Sequence, residues 1–246
     1  MTDEGRRRLG LPRVHHRVTS STSDRARELA LAGAGHGTLV TAGEQTAGRG
    51  RQGRTWSAPA GRALLMSLVL RDPGRLVTLA AGVAVAEAVG LDAMIRWPND
   101  VVLGDGRKVA GILAEGRPQE GWAVLGIGLN VAVRPGDLPP ELRARAGSMD
   151  LAIEEIPLIL GQLLVGLERW LAAPAGDVLE AWTRRDALVG RAVRWADGGG
   201  TAAGVDEDGR LIVGCDDGRR VALEAGEVHL EPVSLPIRTC ASATDT

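Results

Sequence analysis

The chain has 246 residues, 44% hydrophobic and 24% charged, with a net charge of −2. That length suits one large domain plus a small one, and the near-neutral charge excludes a protein that holds nucleic acid through an overall basic surface, so any attraction for anions has to come from local patches. The two cysteines, Cys215 and Cys240, give neither a disulfide framework nor metal-ligand spacing, which fits a reducing cytoplasm, and no apolar run reaches the roughly 18 residues that would span a bilayer.

Residues 1–14 read as a flexible, arginine-rich arm without the apolar core of a signal peptide, too short to precede residue 15 with a helix-turn-helix domain. Ser21, Thr22, Ser23 and Asp24 then announce a helix start, because their side-chain oxygens accept the free backbone N–H groups of a first turn. The periodic run Ala26, Leu29, Ala30, Ala34 follows, closed by Gly35 and Gly37. A strand over 38–45 leads into a loop in which Gly48, Gly50 and Gly53 alternate with Arg49, Arg51 and Arg54, ending at Trp56. The glycines let the backbone approach a ligand, and the guanidinium forks suit phosphate or carboxylate. The loop lacks the Gly-Lys-Ser/Thr ending of a P-loop. A solvated basic hairpin is the ordinary alternative, and Trp56 is either a stacking surface for a base or part of the core.

The apolar run at 63–70 predicts a buried strand, and 76–89 an alanine-rich helix closed by Gly90. Further strands are expected over 94–97, 101–103, 109–115 and 122–131, with a tight turn at Asp105-Gly106. Residues 135–148 read as a loop, 153–171 as a long amphipathic helix and 178–188 as another. After Gly190, short alternating segments separated by Ala196–Gly200, Asp208-Gly209 and Asp217-Gly218 predict a small antiparallel barrel. The organisation expected is an arm at 1–14, a catalytic domain at 15–188, a barrel at 189–233 and a loose tail at 234–246.

Composition singles out one residue. Of 29 Lys and Arg residues, Lys108 is the sole lysine. A lysine is a compact point charge where arginine is a wide planar fork, so a solitary Lys is either a chance survivor of a bias toward arginine or a place where a fork does not fit; at the start of an apolar strand its ammonium needs a partner. Three further segments carry polar groups at strand ends or glycines within strands: RWPND (96–100), GRKVAGIL (106–113) and GIGLN (126–130). Pro98-Asn99-Asp100 also forms an ordinary Asx-type turn. Gly126 and Gly128 would weaken a strand unless a backbone or ligand approaches there, and Asn130 offers both a donor and an acceptor.

In order, GRGRQGRTW, RWPND, GRKVAGIL, GIGLN and a small C-terminal barrel resemble the biotin protein ligase family across roughly residues 15–233. The resemblance implies an α+β fold: a mixed, largely antiparallel sheet flanked by helices, of the class II synthetase type, with an SH3-like C-terminal barrel. It implies ATP with Mg2+, activation of biotin to biotinyl-5'-AMP, and transfer to a lysine of a biotin carboxyl carrier protein. Lys108, Arg51 and Asp100 are then the catalytic residues, with Lys108 bridging the biotin carboxylate and the α-phosphate and Asp100 serving the incoming amine. Ser21, Thr22, Ser23, Gln45, Arg49, Gly50, Arg51 and Lys108 align with biotin-contacting positions. Arg51, Trp56, Asn99, Lys108 and Asn130 fall where the nucleotide is held, and no metal-ligating side chains are expected. The sequence departs from the family pattern at Arg96, usually Lys, and at Ser23, often Asn. A monomer or weak homodimer is expected, with no DNA and no membrane partner. Lipoate or octanoate transfer on the same fold, and a nucleic-acid-binding module, are the competing readings.

Overall fold

The computed structural model describes residues 9–117 and 120–225. Seven strands form one sheet in the order β1-β2-β3-β7-β6-β5-β4: β1 (Arg13–His16), β2 (Leu39–Ala42), β3 (Ala63–Arg71), β4 (Met94–Arg96), β5 (Asp100–Val102), β6 (Lys108–Arg117) and β7 (Trp122–Asn130). β1 runs parallel to β2 and the remaining pairs are antiparallel.

The sheet sorts its side chains by alternation. On one face Leu64, Met66 and Leu68 of β3, Ile112 of β6, and Leu125, Ile127 and Leu129 of β7 join the main apolar core. Helices α2 (Val77–Val89) and α4 (Ile156–Leu171) pack on that face and on each other. The α4 stripe Ile159, Leu160, Leu163 and Leu167 is buried, as a helix with one apolar side requires. The opposite face carries α1 (Thr22–Leu31), whose Ala26 and Ala30 pack on Val40, Val69, Trp122 and Val124. At the far end of the same face Ala63, Leu65, Val133 and Leu138 form a separate cluster. Between those two apolar patches lies a stretch of sheet floored by Gly111, Gly126 and Gly128.

Several boundaries differ from the sequence reading. The arm does not extend to residue 14: Leu9 is buried, its N–H donates to Glu168 Oε1 at 2.8 Å, and 13–16 form an edge strand. Edge strands bury little, so Arg13-Val14-His15-His16 shows no apolar alternation to read. α1 ends at Leu31, before the Gly35 and Gly37 stop, with Gly33 taking the positive φ of 87° that the exit turn needs. The loop over 135–148 contains the short helix α3 (Pro140–Arg143), residues 153–155 form a 3-10 turn ahead of α4, and α5 spans Ala175–Thr183, starting earlier and ending earlier than expected.

The C-terminal unit is an antiparallel sheet ordered β11-β10-β9-β8, built from β8 (Ala192–Trp195), β9 (Gly198–Val205), β10 (Leu211–Gly214) and β11 (Arg220–Leu223). Gly198, Gly199 and Gly200 belong to β9 and pair with β8, so the first connection is tighter than the Ala196–Gly200 turn expected. Among the described residues the sheet does not close on itself, and the remainder of the expected barrel and tail, 226–246, lies outside them. Val193, Ala202, Leu211, Val213 and Leu223 share the main core with α2 and α5. The β9–β10 turn seats Gly209 beside Leu76 and Leu79, and its carbonyl accepts from Trp97 Nε1 at 3.0 Å. No helix among the described residues is long and apolar enough to cross a membrane.

Candidate active site

Lys108 reaches the site through an irregularity in the sheet. Strict alternation would put residue 108 on the side of Ala110 and Ile112, in the core. The register between β5 and β6 shifts between Val101 and Val102, so that Val101 pairs with Ala110 but Val102 with Lys108. This bulge inserts one residue and reverses the phase. The Lys108 ammonium consequently emerges beside Gly111, 3.2 Å from where a Cβ on that glycine would lie. There Nζ lies 2.6 Å from Asp100 Oδ1 and 5.3 Å from the centroid of the Trp56 ring.

Asp100 is set by the β4–β5 hairpin, in which it stands opposite Arg96. Its Oδ2 accepts from Arg96 Nη2 at 2.9 Å, so both carboxylate oxygens are engaged by cations. The departure at position 96 thus keeps a positive charge beside Asp100. Asn99, in the connection of that hairpin, donates from Nδ2 to the Ile112 carbonyl at 2.8 Å and accepts from Arg51 Nη1 at 3.3 Å. It acts as a spacer between β6 and the arginine loop.

The loop itself is a small hairpin. Arg49 bridges Thr55, Gly50 N–H donates to the Arg54 carbonyl at 2.7 Å, and Trp56 N–H donates to the Gly48 carbonyl at 2.9 Å. Gln52 takes φ 55° and Gly53 φ 73° at the tip. The loop roofs an open cavity of about 430 Å³, lined by residues 47–55 with Leu113 and Glu115. Arg51 Nη2 is buried without an acceptor. Burial lowers the pKa of this guanidinium, Asp100 opposes the shift, and the like charge of Arg54 adds to it. A desolvated cation with an unused donor is a recess shaped for an anion.

Trp56 lies across the glycine floor. Gly111 and Gly128 are cross-strand partners, and a Cβ on Gly128 would come within 2.5 Å of Trp56 Nε1 and 2.9 Å of Cζ2. These glycines are there so that a flat ring can rest on the backbone. The indole Nε1 is buried and lacks an acceptor.

At the α1 end, Gln45 Oε1 accepts from Thr22 N at 2.7 Å and from Thr22 Oγ1 at 2.9 Å, while Ser67 Oγ donates to Thr22 Oγ1 at 2.9 Å. Because the Ser67 proton is committed to Thr22, Ser23 is the donor in its 3.1 Å contact with Ser67. The result is a buried relay of hydroxyls ending on a carboxamide. Ser67, fully buried within the run Ala63–Arg71, was missed in the sequence because a lone serine in an apolar strand gives no signal. Ser21 caps α1, accepting from Asp24 N at 3.4 Å.

Two predicted residues are placed differently from the rest. Arg49 lines the cavity but spends its guanidinium on Asp24 and Glu115, each at 2.8 Å. Asn130 is 5% exposed and donates to the Gly147 carbonyl at 2.9 Å, tethering the loop after α3. Ser21, Thr22, Ser23, Gln45, Gly50, Arg51, Trp56, Asn99, Asp100 and Lys108 all gather on the glycine-floored face or its rim. Among the described residues no group of three or more His, Cys, Asp or Glu comes together to hold a metal.

A helix-backed mixed sheet with this roofed, cationic, glycine-floored face has the architecture of acyl-activating ligases of the biotin and lipoate type. Residues 15–131 match the biotin/lipoate A/B protein ligase family, and residues 189–230 match the biotin protein ligase C-terminal domain. The chain is 35% identical over 233 residues to the bifunctional ligase/repressor BirA of Bacillus subtilis, covering 85% of this chain and 71% of that protein. It is 36% identical over 239 residues to the biotin--[acetyl-CoA-carboxylase] ligase of Paracoccus denitrificans, covering 85% of this chain and 97% of that one. The structure of the Aquifex aeolicus biotin protein ligase, solved in complex with biotin and ATP, superposes with a TM-score of 0.74 at 26% identity, covering 90% of this chain and 99% of that one. The chain belongs to the biotin protein ligase family.

Proposed function

We propose that this protein condenses biotin with ATP to give biotinyl-5'-AMP and pyrophosphate, and passes the biotinyl group to one lysine of a biotin carboxyl carrier domain. The observation that carries the reading is a half-buried Arg51 guanidinium whose Nη2 has no acceptor, held on Asn99, together with the Lys108 ammonium on the adjacent Asp100. Two anions have to be brought together in the first step, and preorganised cations offset their repulsion and the charge that develops at phosphorus.

In that step a biotin carboxylate oxygen forms a bond to the α-phosphorus and the bond to pyrophosphate breaks. Lys108 turns from Asp100 to lie between the carboxylate and the α-phosphate, and Arg51 holds the phosphate. The relay from Ser23 through Ser67 and Thr22 to Gln45 presents oriented hydroxyl and amide groups to the ureido ring, with Ser21 supporting it as the helix cap and Gly50 and Arg49 contributing backbone. Trp56 lies against the adenine, and Asn99 keeps Arg51 in place. Asn130 supports the nucleotide side through its tether to Gly147. In the second step the carrier amine attacks the acyl carbon, the acyl–phosphate bond breaks and AMP leaves. The amine proton passes to Asp100, whose Oδ1 is free once Lys108 has moved. Magnesium would arrive on the nucleotide's own phosphates, since the described residues assemble no carboxylate cluster to hold it.

The test incubates the protein with biotin, ATP labelled at the α-phosphate and a carrier domain. Labelled biotinyl-AMP and then biotin on the carrier lysine are expected. Adenylate formation with lipoate but not biotin would move the substrate to the other branch of the family, and formation with neither would overturn the reading.

A further inference from the structure

We propose that Asp24 and Glu115 are positioning residues that latch the glycine-arginine loop over the cavity by gripping the Arg49 side chain; the consequence for catalysis rests on the biotin-ligase reading above, the latch itself does not. Arg49 Nη1 donates to Asp24 Oδ1 and Nη2 to Glu115 Oε1, both at 2.8 Å. The two carboxylates come from different elements: Asp24 from the first turn of α1, directly after Thr22 and Ser23, and Glu115 from β6, on the face that carries Gly111 and Leu113. One guanidinium therefore spans from the helix to the sheet, along the rim of the cavity that the loop roofs. Hydrogen bonding to Asp24, opposed by partial burial and supported by the charges of Glu115 and Asp24, raises the Arg49 pKa.

The arrangement is closed in charge as well as in shape. Arg27, one turn along α1, lies 3.3 Å from Glu115 Oε2, so two cations and two carboxylates form a neutral cluster. At the loop tip Arg51 turns inward, with Nη1 on Asn99 and Nη2 buried. Arg49, the Arg51–Asn99 contact and the Trp56 ring all contribute to closure.

The strength suits a gate. Arg49, Asp24 and Glu115 side chains are 37%, 38% and 26% exposed, so water and salt screen the pairs, and two such pairs together bias closed over open by roughly tenfold. That holds the roof down over an acyl-adenylate prone to hydrolysis while still letting it lift for biotin to enter or the carrier to dock.

The experiment follows tryptic cleavage after Arg51 and Arg54 by mass spectrometry in the ligand-free protein, for the unaltered chain, Asp24→Asn, Glu115→Gln, Arg49→Gln and Arg49→Gln/Glu115→Gln, at 50 mM and 500 mM NaCl. Cleavage in Glu115→Gln and Asp24→Asn is expected to be faster by about threefold at low salt, and in Arg49→Gln by up to about tenfold. High salt should accelerate the unaltered chain more than Arg49→Gln, and the double variant should be no faster than Arg49→Gln alone. Asp24→Asn, at a half-exposed helix turn, reads the latch independently if Glu115→Gln fails to fold. Cleavage of both carboxamide variants at the unaltered rate, or independent multiplicative effects in the double variant, overturns the proposal. With biotin and ATP added, the same variants should release biotinyl-AMP to solution faster by a similar factor. Loosened loops in a protein that forms no biotinyl-AMP would uphold the latch and refute the functional reading instead.

Discussion

Replacing Lys108 with methionine separates its chemical from its structural contribution. In the folded protein the ammonium pairs with Asp100 at 2.6 Å, but the two side chains are 31% and 19% exposed. Asp100 also keeps Arg96 at 2.9 Å after the change, so no carboxylate is stranded without a cation. A partly exposed pair of this kind contributes about 1 kcal/mol or less to folding, which lowers the Tm of a chain this size by about 2–4 °C. Catalysis should suffer far more. Withdrawing one preorganised donor from the place where charge develops costs about 2.7–4 kcal/mol, a fall of about 10²–10³-fold in rate. Lys108→Arg keeps the charge, but its fork has to fit beside Trp56 and the Gly111 backbone, and should still lose at least about tenfold. The assay is continuous pyrophosphate release from biotin and ATP without carrier, alongside a thermal melt. Lys108→Met within tenfold of the unaltered rate, or a Tm loss above about 10 °C, would refute the reasoning.

Gly128→Ala forces the indole of Trp56 back by about 1 Å to reach ordinary carbon contact; tryptophan emission should shift and the KM for ATP rise about tenfold, and an unchanged spectrum would show that the ring does not rest there. Ser67→Ala breaks the hydroxyl relay, leaving the Ser23 O–H without its acceptor and the Thr22 oxygen without its donor in a buried site, so stability should fall by about 1–3 kcal/mol in urea titration and the KM for biotin should rise. Asp186 is 5% exposed, and burial raises its pKa above the ordinary value of 3.8, partly countered by the Leu188 and Val189 backbone N–H groups. A carboxyl raised on folding favours the folded state fully below the unfolded pKa and loses that benefit as pH rises through the folded one. Asp186→Asn should therefore gain stability relative to the unaltered chain as pH rises above 3.8, with no further change below it; a difference that does not grow with pH in chemical denaturation would refute it.

Much of this was legible in the sequence because long apolar runs, and glycines placed within them, fit few local structures. The runs that became β3, β6 and β7 gave the centre of the sheet, and Gly126 and Gly128 signalled close approach before anything showed that the Ser23 hydroxyl approaches the first and the Trp56 ring the second. Composition drew attention to Lys108, but not to the bulge that turns it out of the core, since a one-residue slip in register depends on the partner strand. The latch was hidden for a similar reason. Arg49 was visible as a basic loop residue, while Asp24 looked like a helix-start acid and Glu115 like a strand end, and only folding brings those three together. Ser67 and the edge strand β1 were silent because one buried hydroxyl and four half-exposed residues disturb no pattern.

The hydrogen bond from Trp97 to the turn at Gly209 gives the small C-terminal sheet a share in how the site is held. Trp97 directly precedes Pro98, Asn99 and Asp100, so the hairpin that presents the last two is braced from behind by a different part of the chain. A shortened protein ending near residue 188 would uncover the apolar surface beneath that brace and free the hairpin to wander, and its failure as a catalyst would be one of aim, with every reacting side chain still present.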